Sequence, residues 1–191
     1  MTKAEIRREM RTRLATIGEA RGKKSRAIAA AISLHPRVAA HPRIALFSPM
    51  PDEPDVEELW QGKPGPFCYP RIAHGTIEFV DVEKIDDLAT SAWHPHIRES
   101  SLTNAPIVPP GEIGIILVPG LAFTKHGDRL GRGGGFYDRY LASLPSTTFK
   151  LGVCFAVQIV QTLPIEPHDQ QMDAVVTEDG LFPQVYPSRR R

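Results

Sequence analysis

Cysteine is nearly missing from this chain. Only Cys68 and Cys154 occur in 191 residues, each inside an apolar, strand-like run. They read as buried free thiols in a reducing cytosol rather than as a disulfide or a nucleophile. A charge excess is missing too: 23 Lys and Arg against 22 Asp and Glu leave a net charge of +1. That balance argues by itself for neither nucleic acid nor a membrane. No apolar run approaches the ~18 residues of a transmembrane helix, and no signal-type apolar segment follows Met1. A cytoplasmic protein is therefore expected. Internal repeats and low-complexity segments are also lacking. Proline, by contrast, is plentiful, and the 18 prolines fall mostly between candidate elements, where loops belong. With 41% hydrophobic residues the chain can bury one good core. Residues 1–182 are expected to form a single domain, and the basic tail 183–191 to be disordered.

One stretch organises the rest. Residues 115–118 form an apolar run, cut off by Pro119-Gly120, that reads as a buried strand. Lys125, Arg129 and Arg132 follow, and then glycine crowds the chain at Gly131, Gly133, Gly134 and Gly135. Phe136, Tyr137, Tyr140, Leu141 and Leu144 then fall at helical spacing, with Asp138 in the first turn. Strand, basic glycine-rich loop and helix start suit a phosphate. Glycine lets backbone N–H groups approach the anion, the helix N-terminus adds partial positive charge, and arginine brings forked donors. Two familiar versions of such a loop do not apply. The P-loop needs Gly-Lys followed by Ser or Thr, but Phe136 follows Gly135. The dinucleotide fingerprint needs glycine where Phe136 stands and an acid about 20 residues on, where this chain is apolar. The plainer alternative is a tight turn with solvated arginines.

Around this centre the periodicities predict further elements. Ile6, Met10, Leu14 and Ile17 make the apolar face of a helix over residues 3–20, and a second helix is expected over 21–34. Met1 to Arg26 carries nine Lys/Arg and three Glu, a local net of 9 − 3 = +6. This is either a solvated face or a nucleic-acid or anionic-membrane helix. Lys3 and Arg7 sit at i,i+4, so both heads can reach one anion. Strands are expected over 43–48, 66–72 and 76–82, the last two as a hairpin turning at His74-Gly75, and over 149–155 and 174–177. Asp55 can cap a short helix through Trp60, and residues 156–163 read as another short helix. Residues 83–113 are the least legible. Trp93-His94-Pro95-His96 suggests metal ligation only weakly, since proline intervenes and no third ligand is near. Glu166, His168, Asp169 and Asp173 form either a metal site or a hydrogen-bonded turn. Six strands with helices after the first, fourth and fifth predict an α/β sandwich with a mostly parallel sheet and one antiparallel hairpin. In such sheets ligands bind beyond the carboxyl ends of the strands.

The motif V-P-G-L-A-F-x-x-x-G-x-R-L-G-R-G-G-G-F-Y-D at 118–138 resembles the signature of the 5-formyltetrahydrofolate cyclo-ligase (5,10-methenyltetrahydrofolate synthetase) family. In order along the chain, Lys3-x-x-x-Arg7, Met50-Pro51-Asp52-Glu53, Pro70-Arg71, Trp93, Pro167-His168-Asp169 and Met172-Asp173-Ala174-Val175-Val176 add to the likeness. It covers roughly residues 3–178. It implies a three-layer Rossmann-like α/β sandwich related to the ribose-phosphate isomerase and CoA-transferase group. The implied reaction is the ATP- and Mg²⁺-dependent cyclisation of 5-formyltetrahydrofolate to the 5,10-methenyl form through a phosphorylated formyl intermediate. ATP would meet Lys3, Arg7, Arg129, Gly131, Arg132, Gly133, Gly134, Gly135, Phe136 and Tyr137. The folate would meet Met50, Glu53, Arg71, Trp93 and Tyr137, with Glu53 on the pterin. Asp138 and Asp173 would serve the metal. The partner implied is a small molecule, polyglutamylated or not, with no nucleic acid and no membrane, and the protein a monomer or weak dimer. After Trp93 this chain departs from the family pattern, carrying His94-Pro95-His96-Ile97-Arg98-Glu99-Ser100 where a Gly-Ile-Pro-Glu-Pro type segment is usual.

Two rivals make other predictions. A different nucleotide or sugar-phosphate enzyme on this fold would bind ATP without folate. A nucleic-acid or membrane-binding module using the basic helix and tail would bind with a steep salt dependence and without need of Asp138 or Asp173.

Overall fold

The computed structural model describes residues 1–40, 43–62, 67–92, 94–102 and 104–182. The expected tail and Trp93 lie outside the described residues. In chain order, α1 (Lys3–Ala15), α2 (Ala20–Ser33) and the short α3 (Pro36–Ala40) precede strand β1 (Ile44–Ala45). After α4 (Leu59–Gly62) come the hairpin β2 (Phe67–Ala73) and β3 (Thr76–Val82), and then the small ribbon β4 (Leu88–Thr90) and β5 (Arg98–Ser100). Next are β6 (Ile115–Pro119), β7 (Ala122–Thr124), β8 (Arg129–Leu130), α5 (Phe136–Ser143), β9 (Phe149–Val153), β10 (Ile159–Val160), β11 (Ala174–Thr177) and β12 (Gly180–Phe182).

Seven strands form the main sheet in the order β12-β11-β9-β6-β1-β2-β3. The five inner strands run parallel and both edge strands antiparallel. Inner strands covered on both faces must be apolar throughout, and Ile115 to Val118 and Val175 to Val176 meet that demand. Their side chains alternate between two cores. Leu117, Leu151, Val153 and Val176 face Met10, Leu14, Ile28 and Ile32 of α1 and α2. Ile116, Val118, Val175 and Cys68 face Leu141 and Leu144 at and just beyond the end of α5. This is the expected three-layer sandwich with a mostly parallel sheet. All six expected strands are present, and β12 is an added edge. Both cysteines are buried and free, and burial raises the pKa of each thiol.

Local chemistry explains most boundaries. Thr2 and Glu5 close a reciprocal capping box at the start of α1 (Glu5 N to Thr2 Oγ1 3.3 Å, Thr2 N to Glu5 Oε2 2.8 Å). The helix ends sooner than expected because the Thr16 hydroxyl and N–H both donate to the Arg13 carbonyl. Ile17 stays buried without being helical. The hairpin turns on His74 and Gly75, both at positive φ (50° and 74°), the two-residue turn whose twist matches the strands.

Two expectations change. The first strand keeps ladder pairing only at Ile44 and Ala45, with one further bond from Leu46 N to Cys68 O (2.9 Å), before prolines divert the chain. Residues 156–163 do not form an α-helix. A 3-10 turn, Ala156–Gln158, leads into β10, which pairs with β7. The Gln158 side chain is fully buried. It accepts from Phe155 N (2.8 Å) and donates to Gly120 O (2.8 Å) and Leu121 O (3.1 Å), which closes the turn. The β-branched Ile159 and Val160 then suit a strand.

Candidate functional site

A cavity of about 770 Å³ opens above the carboxyl ends of β1 and β6, where an open parallel sheet is expected to take ligands. The glycine loop forms its floor. Gly135, at φ 66°, caps α5 in a left-handed conformation that a side chain would resist. Gly133, at φ 111°, also adopts a backbone conformation that side chains resist, and the Arg7 guanidinium packs beside it. Arg7 Nε donates to Gly131 O at 2.9 Å, so α1 lies across the loop. The apolar stripe Ile6, Met10 and Leu14 holds it there.

Lys3 opens α1 and reaches the turn before β11. Its ammonium is 2.7 Å from Asp169 Oδ2 and 3.1 Å from Glu166 Oε2. Burial works against that charge, but the two acids outweigh it and raise the Lys3 pKa. Burial likewise works against Asp169, and the hydrogen bonds from Lys3 and from the Glu166 N–H overcome it and lower its pKa. The ligand atoms of Glu166, His168 and Asp169 lie within 4.8 Å of one another. Their local bonds, Glu166 N to Asp169 Oδ2 (2.7 Å) and Asp169 N to Glu166 O (3.0 Å), are those of a hydrogen-bonded turn, and Lys3 supplies its positive charge.

Arg129 is the buried cation of the site, its side chain 3% exposed. It donates to Pro119 O (3.1 Å) and Asp138 Oδ1 (2.7 Å), and its buried Nε has no hydrogen-bond partner among the described residues. Arg132 turns the other way and pairs with Asp52 and Glu53. Glu53 is 5% exposed, and its Oε1 accepts from Arg132 Nε (3.1 Å) and Nη2 (3.0 Å). Its Oε2 accepts from Met50 N (3.0 Å). Burial raises the Glu53 pKa despite the opposing charge of Arg132. Tyr137 lines the cavity between these groups, and burial raises its phenol pKa.

Most of the expected site residues therefore converge: Lys3, Arg7, Met50, Glu53, Arg129, Gly131, Arg132, Gly133, Gly134, Gly135, Phe136, Tyr137 and Asp138 all line this cavity. Two do not. Arg71 lies between Pro70 and Ile72, which line the cavity, so strand alternation turns it to the opposite face. There it pairs with its cross-strand partner Glu78 (Nε to Oε1, 2.8 Å). Asp173 is also outside the lining: it exchanges bonds with the Lys150 backbone (Lys150 N to Oδ2 2.8 Å, Asp173 N to Lys150 O 2.9 Å), joining the start of β11 to β9. The lining also includes residues that spacing alone did not single out. Ile72 and Ile77 are cross-strand partners beside the hairpin turn, and Ser91, Ile97 and Glu99 come from the β4–β5 region. The Ile72–Ile77 pair was findable by counting register outward from His74-Gly75.

The fold and the cavity define a class: a three-layer α/β protein with a ligand-sized cavity over its strand ends, floored by a basic glycine loop. Comparison with known proteins narrows it. The model of the 5-formyltetrahydrofolate cyclo-ligase family matches residues 1–178, and the chain belongs to that family of enzymes. It is 29% identical to mouse 5-formyltetrahydrofolate cyclo-ligase, over 93% of this chain and 94% of the relative. It is 30% identical to the Escherichia coli K12 protein of the same name, over 77% of this chain and 83% of that one. The solved Aquifex aeolicus 5,10-methenyltetrahydrofolate synthetase superposes with a TM-score of 0.85 at 27% identity, covering 100% of this chain and 97% of that chain.

Proposed function

We propose that this enzyme uses ATP to close 5-formyltetrahydrofolate to 5,10-methenyltetrahydrofolate, releasing ADP and phosphate. The observation that carries the reading is the convergence of α1 and the glycine loop. Lys3 and Arg7 come from one end of the chain and Arg129 from more than a hundred residues on, and all reach one cavity whose opposite wall is apolar and acidic. The basic side suits a triphosphate, since forked arginine donors and loop N–H groups match phosphate oxygens. The other side, with Glu53, Pro70, Ile72 and Ile77, suits a flat, donor-bearing ring: a carboxylate accepts paired N–H groups of an aminopyrimidine edge, and apolar side chains cover its faces.

In the proposed reaction the formyl oxygen attacks the γ-phosphorus and the bond to the ADP oxygen breaks. N10 then adds to the activated formyl carbon, loses its proton, and phosphate departs with the former formyl oxygen. Such chemistry asks for positioning and charge neutralisation rather than a protein nucleophile. Arg129, fixed by Asp138 and the Pro119 carbonyl, is preorganised for that task. Mg²⁺ takes oxygen donors and one or two carboxylates beside phosphates. Asp138 fits, because its carboxylate lines the cavity next to the glycine loop; Asp173 has no such position. Mg²⁺ would supply neutralisation of phosphate charge there. No described helix is long and apolar enough to cross a membrane.

The test is direct. Purified protein is mixed with ATP, Mg²⁺ and 5-formyltetrahydrofolate, and the methenyl chromophore is followed in the near ultraviolet. Growth of that band only when all three are present is the expected result. A flat trace from folded protein overturns the reading, and ATP binding without folate binding favours another nucleotide enzyme.

A further inference from the structure

We propose that Arg21, which does not itself line the cavity, is a positioning residue that aims Glu53. The inference rests on the reading of Glu53 as the folate-facing carboxylate. Glu53 sits in a loop with little means of holding itself: Pro49, Pro51 and Pro54 each remove a backbone N–H. The bonds closing the turn are Glu53 N to Met50 O (2.9 Å) and Met50 N to Glu53 Oε2 (3.0 Å). Arg132 holds the Glu53 carboxylate from the glycine loop, and the remaining support of the loop backbone comes from α2. Arg21 Nε donates to Glu53 O at 2.9 Å and Nη2 to Met50 O at 3.3 Å, so one planar fork grips both ends of the turn. One helical turn later, on the same face, the fully buried Ser25 accepts from Asp55 N at 2.9 Å.

The placement of Arg21 is informative in itself. A cation in the first turn of a helix opposes the helix dipole, and in α2 the one acid beside it is Glu19 at the N-cap, whose side chain makes no capping bond. The guanidinium instead spends its charge on two carbonyls of the Glu53 loop. It belongs to an outer groove with Pro51 and Asp52 rather than to the lining of the main cavity. Arg21 therefore acts on the cavity only through the backbone of residues 50–53. Loosening that backbone misdirects Glu53, while Arg132 keeps its own place in the glycine loop and its pair with Asp52.

The experiment is a double-mutant cycle of Arg21→Ala and Glu53→Gln, read by calorimetric titration of 5-formyltetrahydrofolate and, separately, of a non-hydrolysable ATP analogue. Arg21→Ala in the wild-type background is expected to weaken folate binding by about tenfold, with much less change for the analogue. In the Glu53→Gln background the same substitution is expected to cost little more, since the group it aims is already gone. Arg21→Lys, which keeps the charge and can reach one carbonyl, should recover part of the loss. It carries the same cycle if Arg21→Ala fails to fold. Equal folate losses in both backgrounds, or equal losses for folate and analogue, overturn the proposal. Wild-type protein that binds the analogue but no folate overturns the underlying reading of Glu53 as well.

Discussion

At one end of the cavity the floor is a single run, residues 129–138, whose glycines and arginines are fixed by the turn into α5, with α1 laid across it. At the other end the wall is assembled from the Met50–Glu53 loop, the β2–β3 hairpin and the β4–β5 region, segments joined only by tertiary pairing. The floor of the first end is held by backbone conformation, and long-range bonds such as Arg7 to the Gly131 carbonyl only tie α1 onto it. The second end is held together by long-range hydrogen bonds such as Arg98 N to Ser48 Oγ (2.6 Å) and Arg21 to the Glu53 carbonyl. A site built this way can keep a constant phosphate grip while its organic wall varies. His94, Ile97 and Glu99, from the stretch after Trp93 where the sequence departs from the expected motif, belong to this second wall.

The largest effect expected from a single substitution is at the rigid end. Asp138→Asn removes both the proposed metal carboxylate and the charge partner of buried Arg129. Turnover should fall by about a hundredfold or more, with folate affinity nearly kept, as followed by steady-state rates and calorimetry. Near-normal turnover would remove Asp138 from the chemistry and blur the division between the ends.

Arg132 sharpens the comparison because it belongs to both ends, rising from the glycine loop yet holding Glu53 and Asp52. Arg132→Ala leaves Glu53 buried without its cation, a change that costs about 3 kcal/mol or more when fully buried and less here, with Arg132 about one-third exposed. Folate and ATP affinities should both drop, and thermal unfolding should show the lost stability. A loss confined to ATP would mean that the pair to Glu53 is incidental.

A smaller effect lies outside the cavity and serves as a control. His35 is buried against Phe149 (ring centroids 5.2 Å apart), and its Nδ1 accepts the Arg37 N–H (3.2 Å). Burial, and then the charge of Arg37, lower its pKa. The folded state thus prefers the neutral ring, whereas the unfolded chain protonates near about pH 6.5. The stability tied to this group is present above that pH and is lost as pH falls toward the lowered folded value. His35→Asn should flatten the dependence of unfolding free energy on pH in that window without changing the ratio of the two ligand affinities.

The same contrast explains what could be read from residues alone. Ile6, Met10 and Leu14 announce the buried face of α1, the glycine run announces the floor, and His74-Gly75 announces the hairpin, because each is a local pattern. Direction and register are not local. Arg71 follows Pro70 in a motif yet faces away, since adjacent strand residues point to opposite sides. Asp173 is expected at a metal from the resemblance, but it bonds to the Lys150 backbone. Residues 156–163 have apolar content that fits helix or strand, and the bonds made by Gln158 to Gly120 and Leu121 decide the matter. Arg21 carries no local mark except its awkward place at a helix start.

The central claim is that one cavity has two separately built ends, phosphate-binding under α1 and folate-binding at Glu53. It is tested most directly by titrating ATP and 5-formyltetrahydrofolate, each alone, into two variants. Replacing Lys3 and Arg7 together with Ala should weaken ATP by about 2–4 kcal/mol and leave folate nearly unchanged; the same replacement of the exposed Arg8 and Arg11 should do much less. Glu53→Gln should weaken folate by about 1–3 kcal/mol and ATP less. Losses that cross over in this way are the predicted result. Equal losses of both ligands in both variants, or the opposite pairing, would contradict it.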